Sequence, residues 1–369
     1  MSTLKVEICR IDGVEKHPNA DRLDIVKIAG WQCVTQKDAF KVGDSCVYIP
    51  IDSILPLEVE SKIFGPDSKI KLDKSRVRSI KLRGAISQGM AVRPSTLGIP
   101  DDQDVGTDVS EILGIKKYEP PTREVSHNSQ LNPKPKRSCN PNFKKYTGIE
   151  NWKWYPTLFD STEEVVVTEK IHGTNFRCGY IPYCANTWWK KVLKFLHLTP
   201  QYEFVYGSHN VQLQNKLRYK GYYSNNVYLK IAKQYNLESV LKNFPGFVVY
   251  GEIYGDRIQK GYNYGCGTGE HKLVVFDVMH DGSYLDFPVF SVFCNLRRLP
   301  MAPVVYHGPY DGDKILSLTK GNSVLCPEQR VREGVVVKPL KEQITFMGRK
   351  ILKVISDDYL LNNDNTDFH

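Results

Sequence analysis

Lys170-Ile171-His172-Gly173-Thr174-Asn175 puts an amine, an imidazole and two short polar side chains within six residues, directly after the apolar run at 164–169. That run reads as a short buried strand, so the lysine is delivered to the edge of a cleft rather than to a solvated face. A lysine amine becomes a nucleophile when burial or neighbouring cations lower its pKa. Gly173 lets the backbone turn and approach a ligand, and Thr174 and Asn175 add short polar groups. A bare K-x-x-G more often marks a solvated lysine before an ordinary turn, so the pattern needs companions.

Five follow. Phe247-Val248-Val249-Tyr250-Gly251-Glu252 ends an apolar strand on a carboxylate, and Leu273-Val274-Val275-Phe276-Asp277 carries an aromatic suited to stacking on a base. Arg332-Glu333-Gly334-Val335-Val336-Val337-Lys338 opens on a carboxylate and closes on a lysine. Lys350-Ile351-Leu352-Lys353-Val354-Ile355 holds two cations, and Tyr206-Gly207-Ser208-His209-Asn210 follows another strand end. Each alone has a dull explanation. Together they describe a lysine nucleophile, two carboxylates for a divalent metal, an aromatic face and further lysines for phosphates, which are the parts phosphoryl transfer needs. No G-x-x-x-x-G-K-[ST] loop occurs, so side chains and metal must hold the phosphates.

The elements that would position these groups form an α+β pattern, with strands expected at 164–168, 204–207, 247–252, 272–278, 334–338 and 350–355 and one amphipathic helix near 226–241. Before them, short β-rich runs at 4–11, 23–28, 31–35, 45–49, 76–82 and 89–93 suggest a small barrel or sandwich. Residues 116–148 read as a linker, with Pro120, Pro121, Pro133, Pro135 and Pro141 among basic residues. Its Lys134, Lys136, Arg137, Lys144 and Lys145 suit either a phosphate backbone or plain solvation. The basic, apolar segment from Trp188 to Leu196 reads as an insertion that docks on its own domain, with a partner or membrane surface as the alternative. The expected partition is therefore 1–115, a linker over 116–148, and 149–369.

The 369 residues suffice for two or three domains, each with a core. Fifty basic against 41 acidic residues give a net charge of +9, which suits a polyanionic partner without requiring one. Nine scattered cysteines with no C-x-x-C argue against a disulfide framework or zinc ribbon and for a reducing compartment, cytoplasm or nucleus. No apolar signal core or stretch of 18 apolar residues occurs, so a soluble intracellular protein with no membrane partner is expected.

From about 150 to 356 the chain resembles the catalytic domain of the covalent nucleotidyltransferases, the polynucleotide ligases and mRNA capping enzymes. The spelling Glu169-Lys170-Ile171-His172-Gly173-Thr174-Asn175 is similar to that of RNA ligases of the phage nick-sealing type. The resemblance implies that Lys170 is adenylylated by ATP, with Glu169 beside it in the nucleotide pocket. It implies that Glu252 contacts the ribose or supports the metal, that Phe276 stacks on adenine, and that Glu333 binds the metal. Lys353 would contact the α-phosphate, with Lys338 and Lys350 as further cations, while His172 and Asn175 would shape the pocket and assist transfer to RNA. The resemblance also places His209 among the cofactor-binding residues. Two departures stand out: this His209 where many relatives have arginine, and Ile355 where the fifth motif often has a second lysine.

The segment Val14-Glu15-Lys16-His17-Pro18-Asn19-Ala20-Asp21-Arg22-Leu23 resembles the opening of OB-type tRNA-binding modules appended to synthetases. Lys69, Lys71, Arg76, Arg78, Lys81 and Arg83 follow as a basic run that suits nucleic acid, although such a barrel can also merely brace its neighbour. Capping enzymes and DNA ligases carry their OB fold after the fifth motif, whereas here the sequence runs only to His369 beyond Lys353. An OB module in front resembles a smaller group of RNA ligases, and no nicotinamide-binding module is recognised, so ATP is preferred to NAD⁺.

The expectation is an α+β protein: a small OB-like N-terminal β-barrel, then a ligase-type nucleotidyltransferase domain of antiparallel sheets flanked by helices. It would be a monomeric ATP-dependent RNA ligase using Mg²⁺ or Mn²⁺ and joining 3′-OH to 5′-phosphate ends. A DNA-joining or capping enzyme, or a non-catalytic RNA-binding protein on a ligase scaffold, is the alternative.

Overall fold

The computed structural model describes residues 4–65, 71–118, 139–185, 188–213 and 226–362. Its N-terminal part is built on short antiparallel pairings, with helices at Leu57–Phe64 and Pro94–Leu97. Glu7–Arg10, Ser45–Ile49 and Met90–Val92 form one sheet, and Gly13–Lys16, Leu23–Ile28 and Trp31–Gln36 a second. The hairpin Ser79–Leu82/Ala85–Gln88 meets the second sheet through Ser87 and Gln32, as Ser87 Oγ accepts from Val34 N and Gln32 Nε2 donates to Ile86 O. Strands at 23–28 and 45–49 have the expected bounds, whereas the expected strand at 76–82 is confined to Ser79–Leu82. Arg76 is not part of a basic surface: it is buried in an ion pair with Asp52 beneath the Tyr118 ring.

The H-P-N-A-D-R-L segment is a staple within this part. His17 is buried against the Leu82 carbonyl at 3.0 Å, its Nδ1 accepts from Asn19 N, and Asn19 Nδ2 donates to Arg83 O.

The second part contains two sheets. We label its main elements β1 (Glu164–Lys170), β2 (Thr174–Pro182), α1 (Trp188–Phe195), β3 (Tyr202–Gly207), α2 (Val227–Gln234), α3 (Leu237–Lys242), β4 (Phe247–Gly255), β5 (His271–His280), α4 (Phe287–Arg297), β6 (Val304–Pro309), β7 (Gly334–Pro339) and β8 (Leu352–Ile355). The five-stranded sheet runs Glu150–Asn151, β8, β7, β1, β6, and the six-stranded sheet runs Gln212–Leu213, β3, β2, β4, β5, Ser283–Tyr284. Both are antiparallel as expected, except for the short parallel pair of Glu150–Asn151 with β8.

Strand alternation sorts the side chains. On one face of the five-stranded sheet, Val165, Val167, Val335, Val337, Leu352 and Val354 pack with Phe159 and Ile315 into a core. The register pairs Lys170 with Gly334 and Gly334 with Ile355, so the opposite face holds Lys170, Val336, Lys338, Lys353 and Ile355. One face of the six-stranded sheet is covered by α2, α3 and α4, burying Phe176, Val249, Leu273, Ile231, Leu241 and Phe290. Its other face turns Tyr250 and Val248 toward Tyr146 and Ile351, closing the space between the sheets.

Three expectations change. The helix expected over 226–241 is two helices: Asn226 caps α2 by accepting from Leu229 N, and Asn236, at φ 48°, breaks the run before α3. Asparagine tolerates this left-handed conformation, which apolar spacing does not report. The expected linker is anchored at both ends. Lys116–Lys117 pairs with Ser53–Ile54, while Asn140, Phe143 and Tyr146 are buried against the sheets of the second part. The segment at 188–196 forms α1, but its aromatic side chains are exposed instead of docked. The expectations for Lys69, Lys134, Lys136 and Arg137 fall outside the described residues.

An apolar cluster joins the two parts. Trp31, Tyr48 and Cys33 of the first share it with Ile355, Tyr359, Tyr254 and Tyr262 of the second, and Trp154 packs edge-on to Trp31 and Tyr48. Lys153 Nζ lies 4.7 Å from the Trp31 ring and donates to Gln88 Oε1, and Gln88 donates on to Asp357.

Candidate active site

The Lys170–Asn175 segment is the crossover between the sheets: Lys170 ends β1 in one, and Thr174 opens β2 in the other. Gly173 fits here because a Cβ would lie 2.3 Å from the Ile253 carbonyl oxygen and 2.9 Å from Glu252 Cγ. The Tyr264 hydroxyl oxygen accepts from the His172 amide N–H at 2.8 Å, and Gln259 Nε2 donates to Gly173 O. The crossover is thereby pinned on both sides.

At its start, Lys170 Nζ lies 2.7 Å from Glu333 Oε1, with the lysine side chain 15% exposed and the carboxylate fully buried. Glu333 immediately precedes Gly334, the register partner of Lys170. Glu252 on β4 pairs in register with Asn175 on β2. Burial lifts the Glu252 carboxyl to about 8; Lys170 opposes this and Glu333 adds to it, so the three groups share one electrostatic site. His172 lies behind Glu333, with Nδ1 3.8 Å from Oε2. Burial, aided by Lys170, pushes its imidazole down to about 3, so it is neutral at ordinary pH and packs edge-on against Tyr262 and Tyr359.

Phe276 sits where the β4–β5 register shifts, edge-on to Tyr146 and packed with Val336 in the cluster between the sheets. Lys353 is buried beside Val336, on the face that carries Lys170.

Four expected pocket residues are placed otherwise. Glu169 points to the opposite face of β1, where its carboxylate accepts from the amides of Val324 and Leu325. Lys350 also serves that other face, paired with Glu163 at 2.6 Å near the Phe159 ring. Lys338 lies on the correct face but is only 3% exposed, and its ammonium donates to Asp277 Oδ1 at 2.7 Å. It stands four residues from the level of Lys170, about 13 Å along the strand. His209 follows β3 as expected, but burial, with Arg177 and Lys145 nearby, pushes it down to about 4, so it supplies no charge at neutral pH.

Two groups escaped the sequence reading. Asp277 is a buried hub that accepts from Lys338, Arg349 and Tyr146. Burial pushes its carboxyl up, but Arg349 and Lys338 outweigh that and hold it below the usual range. Arg177 on β2 is buried against the Phe143 ring and donates to Ser208 O, placing a guanidinium beside the turn where position 209 lacks one. An arginine two residues beyond Asn175, hence on the same strand face, was the available signal.

The donor set suits a hard divalent cation. Asn175 Oδ1 and Glu333 Oε2 are buried without a hydrogen-bond partner, and Glu252 contributes another carboxyl to the same site. Among the described residues no group of three or more His, Cys, Asp or Glu side chains forms a preassembled cage. Magnesium-type ions are commonly held in this way, by one or two carboxylates with water and substrate phosphates completing the shell.

The family model for RNA ligase matches residues 163–355, which includes Lys170, Glu252, Phe276, Glu333 and Lys353. The chain belongs to the RNA ligase family. An OB-fold domain model matches residues 5–94 of the ligase. Solved structures of a Naegleria gruberi RNA ligase share its fold. The form with pyrophosphate has 22% identity and a TM-score of 0.72, covering 97% of this chain and 98% of that one. A mutant with AMP and Mn has 21% identity and a TM-score of 0.73, covering 98% and 100%. A mutant with ATP and Mn has 22% identity and a TM-score of 0.72, also covering 98% and 100%. Among curated proteins, the phenylalanine–tRNA ligase β subunit of Clostridium tetani is 25% identical over 117 residues, covering 29% of this chain. The ligase spans only 13% of that relative's length.

Proposed function

We propose that the ligase uses ATP to join a 3′-OH RNA end to a 5′-phosphate end through an AMP carried on Lys170. The observation that carries this reading is the 2.7 Å approach of the Lys170 amine to Glu333 in a site shared with Glu252, between the two sheets. The Naegleria structures were solved with pyrophosphate, with AMP and Mn, and with ATP and Mn, which are the product and reactants such a site handles.

The Lys170 amine leaves Glu333, loses a proton and attacks the α-phosphorus of ATP. A P–N bond forms and pyrophosphate leaves. The 5′-phosphate of the RNA then attacks the same phosphorus, freeing Lys170 and giving an AMP-capped end. The 3′-OH attacks the capped phosphate, the phosphodiester forms and AMP leaves. Lys353, on the same sheet face as Lys170, neutralises phosphate charge, and Phe276 offers its ring to the adenine. Glu333, Glu252 and Asn175 would hold a Mg²⁺ or Mn²⁺ ion, which supplies charge neutralisation at the phosphates. Gly173 keeps the crossover close enough for β2 and β4 to share the site.

The remaining organisation belongs to the same proposal: an RNA-engaging N-terminal module to about residue 115, a catalytic domain from about 149, and a monomer. Nine free cysteines suit a reducing compartment. Incubation with α-labelled ATP and Mg²⁺ tests the reading. An acid-labile protein–AMP adduct is expected, absent in Lys170→Ala; no adduct on folded wild-type protein across Mg²⁺ and Mn²⁺ overturns it.

A further inference from the structure

Between β2 and β3 the chain leaves the six-stranded sheet at Pro182 and returns at Tyr202, which are cross-strand partners. The excursion contains α1, and its large apolar side chains face water: Trp188 is 66% exposed, Trp189 69%, Phe195 83% and Leu198 70%. At about 100° per residue, positions 188, 189, 192, 193 and 195 of α1 fall within an arc of roughly 160°. All five are apolar, and positions 190, 191 and 194 fill the rest with three lysines. No acidic residue occurs anywhere from Lys170 to Tyr202. None of the α1 residues belongs to the core clusters of the described residues.

We propose that α1 is a peripheral membrane anchor that lies in the interface of an anionic lipid bilayer. A tryptophan pair, phenylalanine and leucine on one arc with lysine on the other is the division that seats a helix in the headgroup region. The segment's excess of basic over acidic residues complements anionic headgroups. Single-stranded RNA would use the two indoles but leave Leu193, Phe195, Leu196 and Leu198 in water. A protein groove would need acidic walls to match the lysines, and a second copy of α1 would add like charge to like charge. No helix among the described residues is long and apolar enough to cross a membrane, so the contact is with the surface only. Its position leaves the reaction site free. Pro182 is eight residues from Thr174 along β2, about 26 Å, so α1 projects from the end of the sheet remote from Lys170. This revises the expectation of no membrane partner and does not depend on the proposed reaction.

Flotation of the full chain with vesicles tests it, comparing phosphatidylcholine alone with phosphatidylcholine containing phosphatidylserine, with tryptophan emission read in parallel. Binding to the anionic vesicles is expected, weakening with added salt and accompanied by a blue shift. A double variant, Trp189→Ser with Phe195→Ser, and a charge variant, Lys190→Glu with Lys191→Glu and Lys194→Glu, should each lose at least tenfold in binding while keeping the wild-type melting temperature. The proposal fails if wild type stays unbound with both vesicle types, or binds both equally. It also fails if the double variant binds as well as wild type. Concentration-dependent self-association without vesicle binding, abolished by the double variant, would assign the face to a second copy instead.

Discussion

Lys170 and Glu333 form a 2.7 Å ion pair between two neighbouring strand ends, and the second carboxylate oxygen of Glu333 is buried with no hydrogen-bond partner. One oxygen thus engages the amine while the other stays available to a cation. Glu333→Ala is expected to slow AMP transfer to Lys170 by at least a hundredfold, about 2.7 kcal/mol of barrier, while the protein still melts cooperatively. Labelling with α-labelled ATP beside a thermal melt checks this; near-normal labelling would remove Glu333 from the site.

Gly173→Ala should damage both stability and reaction. The added methyl meets the Ile253 carbonyl, which belongs to the β4 backbone and cannot rotate away. Overpacking of this kind costs about 1–3 kcal/mol, readable as a lowered urea midpoint. Because the methyl also presses on Glu252, adenylylation of the folded fraction should fall as well. An unchanged midpoint would show that the crossover is slacker than its geometry implies.

Asp277 and Lys338 separate architecture from chemistry. Asp277→Ala leaves Lys338 and Arg349 buried without their shared carboxylate, a loss of about 3–5 kcal/mol. Lys338→Met should lower stability yet leave the Lys170 adduct forming within tenfold of wild type at low temperature. A Lys338→Met variant of normal stability that fails to label would return that lysine to the reaction.

The Glu252 carboxyl gives a pH dependence of definite sign. Its pKa is about 8 in the folded protein, above that of an ordinary glutamate, so the folded state binds this proton more tightly than the unfolded state does. Its stabilising effect is complete when the unfolded group would also be protonated, near pH 4.5 and below, and is lost as pH rises to about 8. The metal-free protein should therefore melt progressively lower over that window, and Glu252→Gln should flatten the curve. Divalent metal, which favours the ionised carboxylate, should bind more tightly toward pH 8 and release a proton. A melting temperature that rises over this window in wild type, with no difference from Glu252→Gln, would contradict the burial argument.

Much of the site was legible because its residues terminate apolar runs. Lys170 ends β1 and Glu333 directly precedes β7, whereas Glu252, expected to end its strand, lies inside β4, which continues to Gly255; in each case a period of two leaves little choice of face. The same parity explains two misplacements: Glu169 is one residue from Lys170, and Lys350 is three from Lys353, both odd steps that face away along a strand. The buried hub around Asp277 was not legible, because Lys338 is 61 positions away and the Tyr146–Arg349 bond within it spans 203. Local pattern cannot report such partners. The departure at Ile355 has a physical reason that only the fold supplies. That side chain is buried in the apolar cluster shared with the N-terminal part, where a lysine would be a charge without water.

That shared cluster has a consequence for how the ligase can be divided. Ile171 and Tyr262, which adjoin the crossover, belong to the same apolar mass as Trp31 and Tyr48 of the OB-like part. Removing the N-terminal part would not leave an autonomous remainder; it would take away the packing partners of Ile171 and Tyr262 and bare Trp154, Ile355 and Tyr359 together. The two halves share one apolar mass, with Lys170 next to Ile171 at the joint.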